Sequence, residues 1–186
     1  MNDLGGLKYF LGIKVARSKQ GIFLSQRKYV LNLLAETEML DCKSADSPIV
    51  QNHHLAMHLN QVPTNKDRYQ RLVGRLIYLS HTRPDTYAVS VVSQFMHSPS
   101  EAHMGMVERI LRYLKSSPGR GIMFSKNDHC RIEGYIDADW AGNITDCQSI
   151  SGYFTFVGGN LVNWQSKKQK VVALSSAEAE YRGMAK

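Results

Sequence analysis

Tyr135-Ile136-Asp137-Ala138-Asp139-Trp140 is a strand-forming run that ends in carboxylates, and Ser175-Ser176-Ala177-Glu178-Ala179-Glu180-Tyr181 opens a helix that carries two more. Between them lie two β-type runs, residues 152–157 and 161–165, split by Gly158-Gly159-Asn160, which is hairpin-turn chemistry. A strand, a hairpin and a helix form a compact device for bringing together acids that are distant along the chain. Two carboxylates held close repel each other unless a cation stands between them. The occupant implied is a divalent metal with oxygen ligands.

Periodicity says which acids should meet. Side chains alternate along a strand, so Ile136 and Ala138 share one face while Asp137 and Asp139 share the other. Asp139 lies nearer the strand end, beside Trp140-Ala141-Gly142, and is expected to be a solvated loop acid. On the helix, Ser175 with Glu178 three residues on is a capping box, which employs Glu178 locally. Ala177, Glu180, Tyr181 and Met184 fall at i, i+3, i+4 and i+7, a stripe expected to turn towards the sheet. Asp137 and Glu180 are therefore the favoured pair. The alternative, that these acids are only solvated or capping, stays open at this level.

Four runs then carry a resemblance. Gly134-Tyr135-Ile136-Asp137-Ala138-Asp139-Trp140-Ala141-Gly142, Ser151-Gly152-Tyr153, Trp164-Gln165-Ser166-Lys167-Lys168-Gln169 and Ala173-Leu174-Ser175-Ser176-Ala177-Glu178-Ala179-Glu180-Tyr181 follow in order without a large gap. Together they resemble the ribonuclease H domain of copia-type retrotransposon Pol polyproteins. The first Asp of the D-A-D-W run and the Glu before Tyr in A-E-Y look like Asp137 and Glu180. The resemblance implies that both are catalytic and metal-binding, that Mg²⁺ or Mn²⁺ is the cofactor, and that the substrate is the RNA strand of an RNA–DNA hybrid. Under it, Trp164, Lys167, Lys168 and Lys170 follow the turn and are candidates to lie near the nucleic-acid backbone, the alternative being ordinary surface lysines. The family's remaining carboxylates are expected beyond Lys186, so the chain as given should bind metal weakly and cleave little.

The front of the chain adds a second match. Asp3-Leu4-Gly5-Gly6-Leu7-Lys8-Tyr9-Phe10-Leu11-Gly12-Ile13 resembles copia-type reverse transcriptase just after its palm active site, and no Y-V-D-D polymerase run is present. Polymerisation by this chain alone is not expected. A β-run over residues 9–15, a turn at Ser18-Lys19-Gln20-Gly21 and a second run at Ile22-Phe23-Leu24 predict a hairpin. Ser25 is expected to cap a helix running to about Leu40. Residues 41–65 are a polar, Pro-bearing connector and an expected boundary. Within it, His53, His54 and His58 lack an acid or cysteine at ligand spacing, and the default is exposed loop histidines.

Three helices should follow. Tyr69, Leu72, Val73, Leu76 and Ile77 form the apolar face of the first, and Arg68, Arg71 and Arg75 line another face, either solvated or contacting phosphates. Pro84 is expected at N1 of the second, with Tyr87, Val89, Val91, Val92 and Phe95 largely buried. Ser98-Pro99-Ser100-Glu101 supplies a cap, an N1 proline and a capping glutamate for the third, whose core stripe is Val107, Ile110, Leu111 and Leu114. Arg109-Ile110-Leu111-Arg112 spells the R-x-L-R string of secreted pathogen effectors, but inside an amphipathic helix it reads as structure, with Glu108 and Arg112 placed for an ion pair.

The fold class expected is α+β: a short reverse-transcriptase-derived hairpin and helices, then the first half of a ribonuclease H-like βββα fold. The segments are 1–62 (end of the polymerase palm or thumb), 63–128 (helical connector) and 129–186 (truncated nuclease). Of the net charge of +7, residues 129–186 contribute nothing, with six basic and six acidic residues, whereas residues 1–128 hold 17 against 10. That split suits a basic body gripping a polyanion, so a non-catalytic nucleic-acid-binding or protein-interaction module is the competing class. Cys42, Cys130 and Cys147 lack C-x-x-C spacing and read as reduced, mostly buried thiols. No signal-like or membrane-spanning run appears, and an intracellular setting without membrane partners is expected.

Overall fold

A computed structural model describes residues 6–50, 61–140 and 147–185; His53, His54 and His58 lie outside them. The chain divides into two compact units, the first built from residues 6–50 and 62–126, the second from residues 61, 127–140 and 147–185. The first unit runs β1 (Tyr9–Phe10), β2 (Ile13–Arg17), β3 (Gly21–Ser25), α1 (Arg27–Glu36), α2 (Lys66–Leu79), α3 (Ala88–Ser93), α4 (Glu101–Ser116) and β4 (Gly121–Ser125). Its sheet is antiparallel in the order β1-β2-β3-β4. Strand β4 follows all four helices in sequence yet pairs with β3 from Gly21↔Ser125 to Ser25↔Gly121. Residues on both sides of the polar connector thus share one sheet. The β3–β4 approach is so close that a Cβ at Gly121 would stand 2.0 Å from the Leu24 carbonyl oxygen, so only glycine fits.

The expected hairpin forms, but its first run is broken. Leu11 and Gly12 both take left-handed φ, 46° and 81°, which separates β1 from β2. Ser18 closes the next turn, its Oγ accepting from the amides of Gln20 and Gly21. Ser25 is the last residue of β3, and although its Oγ accepts from the Arg27 amide at 3.3 Å, the cap position before Arg27 is Gln26 and not Ser25. It ends at Glu36 because Glu38 turns left-handed at φ 57°.

Helix α4 is the hub of this unit. Val107, Ile110, Leu111 and Leu114 are all buried, as the apolar spacing predicts, and the helix packs against α1, α2 and α3. From α2, Tyr69, Leu72, Val73 and Leu76 join the core, while Ile77 stays 40% exposed. The Tyr69 hydroxyl donates to the Val92 carbonyl at 2.7 Å and fastens α2 to α3.

Both proline-based starts differ from expectation. Pro84 lies in a turn four residues before α3, and Tyr87 is exposed. For α4 the cap is Ser100, and the reciprocal partner is His103, whose Nδ1 accepts from the Ser100 amide at 3.0 Å. The buried His103 ring stacks on Phe95 at 3.9 Å, a contact Glu101 cannot make, and this fixes the cap two residues later than Ser98.

A polar cluster locks the start of α3 to the end of α4. Arg83, 1% exposed, donates from Nε and Nη2 to both Asp85 oxygens and from Nη1 to the Ser117 carbonyl. Tyr113 and Arg120 also donate to Asp85, at 2.7 and 3.0 Å.

The second unit is simpler: β5 (Ile132–Ala138), β6 (Ile150–Val157), β7 (Asn160–Lys168) and α5 (Ser176–Met184). The sheet is antiparallel in the order β5-β6-β7, and α5 packs on β5 and β6. The β6–β7 turn is Gly158-Gly159, with φ 54° and 73°, as the sequence predicts. The architecture is mixed α and β, with two antiparallel sheets and five helices among the described residues. No helix among the described residues is long and apolar enough to cross a membrane. Cys42 is partly buried and Cys130 and Cys147 are exposed, which corrects the expectation of mostly buried thiols; all three are free, as expected.

Asp85 gives the first unit a titration signature. Burial alone would raise its pKa, but hydrogen bonds from Arg83, Tyr113 and Arg120 outweigh it and hold the carboxyl at about 2, below its ordinary 3.8. Between those values the unfolded chain takes up the proton first, so stability falls on acidification from about pH 4 to about pH 2, by about 1–2 kcal/mol. Asp85→Asn should flatten that slope and cost about 3 kcal/mol at neutral pH by stranding the buried Arg83 cation. Urea unfolding followed by far-ultraviolet circular dichroism across this pH range measures both effects.

Candidate metal centre and nucleic-acid contacts

Helix α5 begins with Ser175, whose Oγ accepts from the Glu178 amide at 3.2 Å. Glu178 is employed locally, as its spacing predicts, although its target is the Leu174 amide (2.7 Å) and not that of Ser175. Together with the Arg182 ion pair, these bonds hold its carboxyl below the usual range, the Leu174 amide contributing most.

The stripe that faces the sheet is not the one expected. Ala179 and Gly183 are buried, whereas Ala177 is exposed, Tyr181 is 73% exposed and Met184 is 61% exposed. The reason is distance. A Cβ at Gly183 would sit 3.2 Å from Ile136 Cγ2 and 3.7 Å from Ala138 Cβ, so the helix rides on the sheet through its smallest residues. Tyr181 and Met184 are too large for that gap. Ala138, Ala173 and Ala179 form the small buried core.

Glu180 flanks this contact. It is half-buried, and its Oε1 accepts from the Ala138 amide at 3.4 Å. Asp137, exposed and paired in register with Gly152, precedes Ala138. The structure thus brings the Glu180 carboxylate to the strand end that carries Asp137. Because Ile136 and Ala138 face α5, alternation turns the Asp137 side chain to the opposite face of β5. Asp139 is not merely solvated, because its Oδ1 accepts from the Ile150 amide at 2.5 Å and ties the end of β5 to the start of β6. Among the described residues, no group of three or more His, Cys, Asp or Glu gathers at metal-binding distance.

Two side chains hold this corner together, and spacing alone does not single out their roles. Trp140 Nε1 donates to the Ala173 carbonyl at 2.9 Å, tying the end of β5 to the segment that leads into α5. Gln169, 2% exposed, donates from Nε2 to Ser151 Oγ and to the Ala179 carbonyl, both at 2.8 Å. A signal for Gln169 does exist in the sequence: it continues the Gln165, Lys167 alternation onto the helix-facing side of the sheet.

The basic candidates are dispersed. Lys167 pairs with Ser151 on the helix-facing side, Lys168 falls on the other side and is half-buried, and Lys170 is exposed beyond the strand. Arg68 and Arg71 are exposed on α2, while Arg75 is paired with Glu36.

No family model matches the chain, and no solved structure is matched. Curated relatives are more informative. A retrovirus-related Pol polyprotein from transposon RE1 of Arabidopsis thaliana is 45% identical over all 186 residues, which cover 13% of the polyprotein's length. An uncharacterized mitochondrial protein of the same plant is 39% identical over the whole chain and 77% of its own length. A protein named Secreted RxLR effector protein 161, from Plasmopara viticola, is 44% identical over 62% of the chain and 83% of its own length. Whole-length identity of this order marks the class: the chain belongs to the Pol polyproteins of retrovirus-related transposons. Within that class it is of the copia type. The chain spans about one-eighth of the Pol polyprotein it matches at 13%. Its R-x-L-R string lies inside α4, with Ile110 and Leu111 in the core and Glu108 3.9 Å from Arg112, as the helix reading predicts.

Gln169→Ala removes two buried hydrogen bonds and leaves Ser151 and Ala179 without those partners, so it should destabilise the second unit by about 1–3 kcal/mol. Amide hydrogen exchange should show α5 opening first. Equal protection in the variant would mean that Gln169 does not clamp the helix.

Proposed function

We propose that the second unit carries part of a ribonuclease H-type metal site, with Asp137 and Glu180 as its carboxylates and the RNA strand of an RNA–DNA hybrid as its substrate. The observation that supports this is the hydrogen bond from the Ala138 amide to Glu180, which ties the helix acid to the residue that follows Asp137 on β5. Carboxylate oxygens are the donors that a hard divalent cation takes, so the residues fit Mg²⁺ or Mn²⁺ in kind. When bound, such an ion supplies Lewis-acid stabilisation of charge at a scissile phosphate.

This chain's own residues do the positioning. Glu180 is oriented by the Ala138 amide, and Trp140 and Gln169 hold the strand end and the helix in one register. Exposed Asp137 is open to a phosphate approaching from solvent. Lys167, Lys168 and Lys170 contribute positive potential around β7, while Arg68 and Arg71 offer phosphate contacts on the first unit. Arg75 contributes less, since Glu36 neutralises it. Two carboxylates are few ligands for a divalent cation that takes six or more oxygens, so these residues hold the metal weakly and hydrolyse slowly.

A second reading has its own support. The excess positive charge belongs entirely to residues 1–128, which suits a chain that binds nucleic acid without turnover.

Titration of the chain with Mn²⁺, followed by electron paramagnetic resonance, separates these readings. Asp137→Asn and Glu180→Gln should each weaken Mn²⁺ binding about tenfold or more by removing one of two charged ligands, while hybrid binding persists and falls with salt. Unchanged Mn²⁺ affinity in both variants would sink the metal site. Brisk cleavage of a labelled hybrid in Mg²⁺, abolished by Asp137→Asn, would overturn the slow-turnover reading and keep the site.

A further inference from the structure

The two arginines of the R-x-L-R string line a cleft that the nuclease reading does not use. It lies in the first unit between the segment after α1 and the exposed side of α4, has a volume of about 380 Å³, and is lined by residues that include Lys43, Ser44, Asp46, Gly105, Arg109 and Arg112. Gly105, Arg109 and Arg112 stand at i, i+4 and i+7, so one helix face supplies the floor and two cations. A Cβ at Gly105 would meet nothing within 4 Å, which leaves that floor open.

The wall is held in place on both sides. The Ala45 amide donates to the Arg112 carbonyl at 3.2 Å, Arg109 Nη2 donates to Ser47 Oγ at 3.0 Å, and Lys115 Nζ donates to the Cys42 carbonyl. These bonds cross between the segment and the helix, so the cleft is a built feature of the fold.

Its charge is unbalanced. Three cations, Lys43, Arg109 and Arg112, face one lining carboxylate, Asp46. Arg112 reaches Glu108 only at 3.9 Å, with both side chains near half exposed, so that pair neutralises little. Convergent guanidinium and ammonium groups are what recognises a phosphate. The volume exceeds what a bare anion fills and lies in the range of small-ligand sites, roughly 300–1,000 Å³.

We propose that this cleft binds a phosphate carried on a nucleotide, with Lys43, Arg109 and Arg112 on the phosphate and the remaining volume taking the sugar and base. The phosphate comes either from a free mononucleotide or from the end of a nucleic-acid strand. The cleft shares no residue with the carboxylate pair and needs no divalent metal.

Isothermal titration of the full chain in metal-free buffer tests it, with adenosine 5′-monophosphate, inorganic phosphate and adenosine as probes. The nucleotide should bind, phosphate more weakly and adenosine not measurably. Lys43→Gln and Arg112→Gln, both at exposed side chains, should each lower nucleotide affinity severalfold, and Asp46→Asn should raise it. Lys19→Gln, at an exposed side chain in the β2–β3 turn outside the cleft, should leave it unchanged. Binding of adenosine as tight as that of its monophosphate, indifference to both Lys43→Gln and Arg112→Gln, or no nucleotide binding at millimolar concentration each overturns the proposal. Oligonucleotides with and without a 5′-phosphate separate the two sources: preference for the phosphorylated end over the mononucleotide assigns the cleft to a strand terminus, and the reverse assigns it to a free nucleotide.

Discussion

The second unit depends on how closely α5 lies against β5. Gly183 and Ala179 present almost no side chain, Ala138 almost none in return, and the backbone of the helix comes down until Ile136 Cγ2 fills the remaining gap. That closeness decides where Glu180 is. One residue along from Ala179, it reaches the Ala138 amide because the helix is near enough for a side chain of its length. A larger residue at position 183 would lift the helix and carry the carboxylate away from the strand end. Gln169 strengthens the same contact from the far side by bonding Ser151 and Ala179 at once. Polar and apolar forces thus act on one interface, and the position of Glu180 follows from it.

Much of this is legible in the sequence because the local rules agree with one another. Gly158-Gly159 sets a turn that only left-handed residues satisfy, and alternation on either side then fixes two strands. The stripe of α4 is equally plain, since four large apolar residues at helical spacing have only one way to be buried. The stripe of α5 misleads for a physical reason. Tyr181 and Met184 carry more apolar surface than Ala179 and Gly183, so counting hydrophobicity points outward-facing residues inward. Where an interface is close-packed, shape outweighs apolar area, and small residues win. Glu180 reaches the sheet although the stripe assigned to it is wrong, because it borders both the expected face and the real one.

The helix starts show a related competition. Ser98-Pro99-Ser100-Glu101 satisfies every local preference for a cap at Ser98, yet the chain caps at Ser100. A cap hydrogen bond contributes about 1 kcal/mol, less than burying an aromatic-sized side chain. His103 gains both by moving the start: its ring stacks on Phe95 while its Nδ1 completes the box. Tertiary packing therefore chooses between two caps that the sequence offers on nearly equal terms. The same reason hides Arg83, Asp85, Tyr113 and Arg120 from a reading of the sequence. No periodicity links residues that meet only when a turn folds onto the end of a distant helix.

A four-residue string such as Arg109-Ile110-Leu111-Arg112 means different things in an extended chain and in a helix. In an extended segment all four side chains are presented to a reader in order. On α4 the rotation of about 100° per residue splits them: Ile110 and Leu111 turn into the core, while Arg109 and Arg112 stay about 60° apart on the outer face. A linear reading of the string would require unfolding α4, the element against which α1, α2 and α3 all pack. What remains available to a partner is the arginine pair alone, already joined by Lys43 across the cleft. The residues that make the string conspicuous in sequence are therefore divided in the fold between core packing and charge, and only the charge faces solvent.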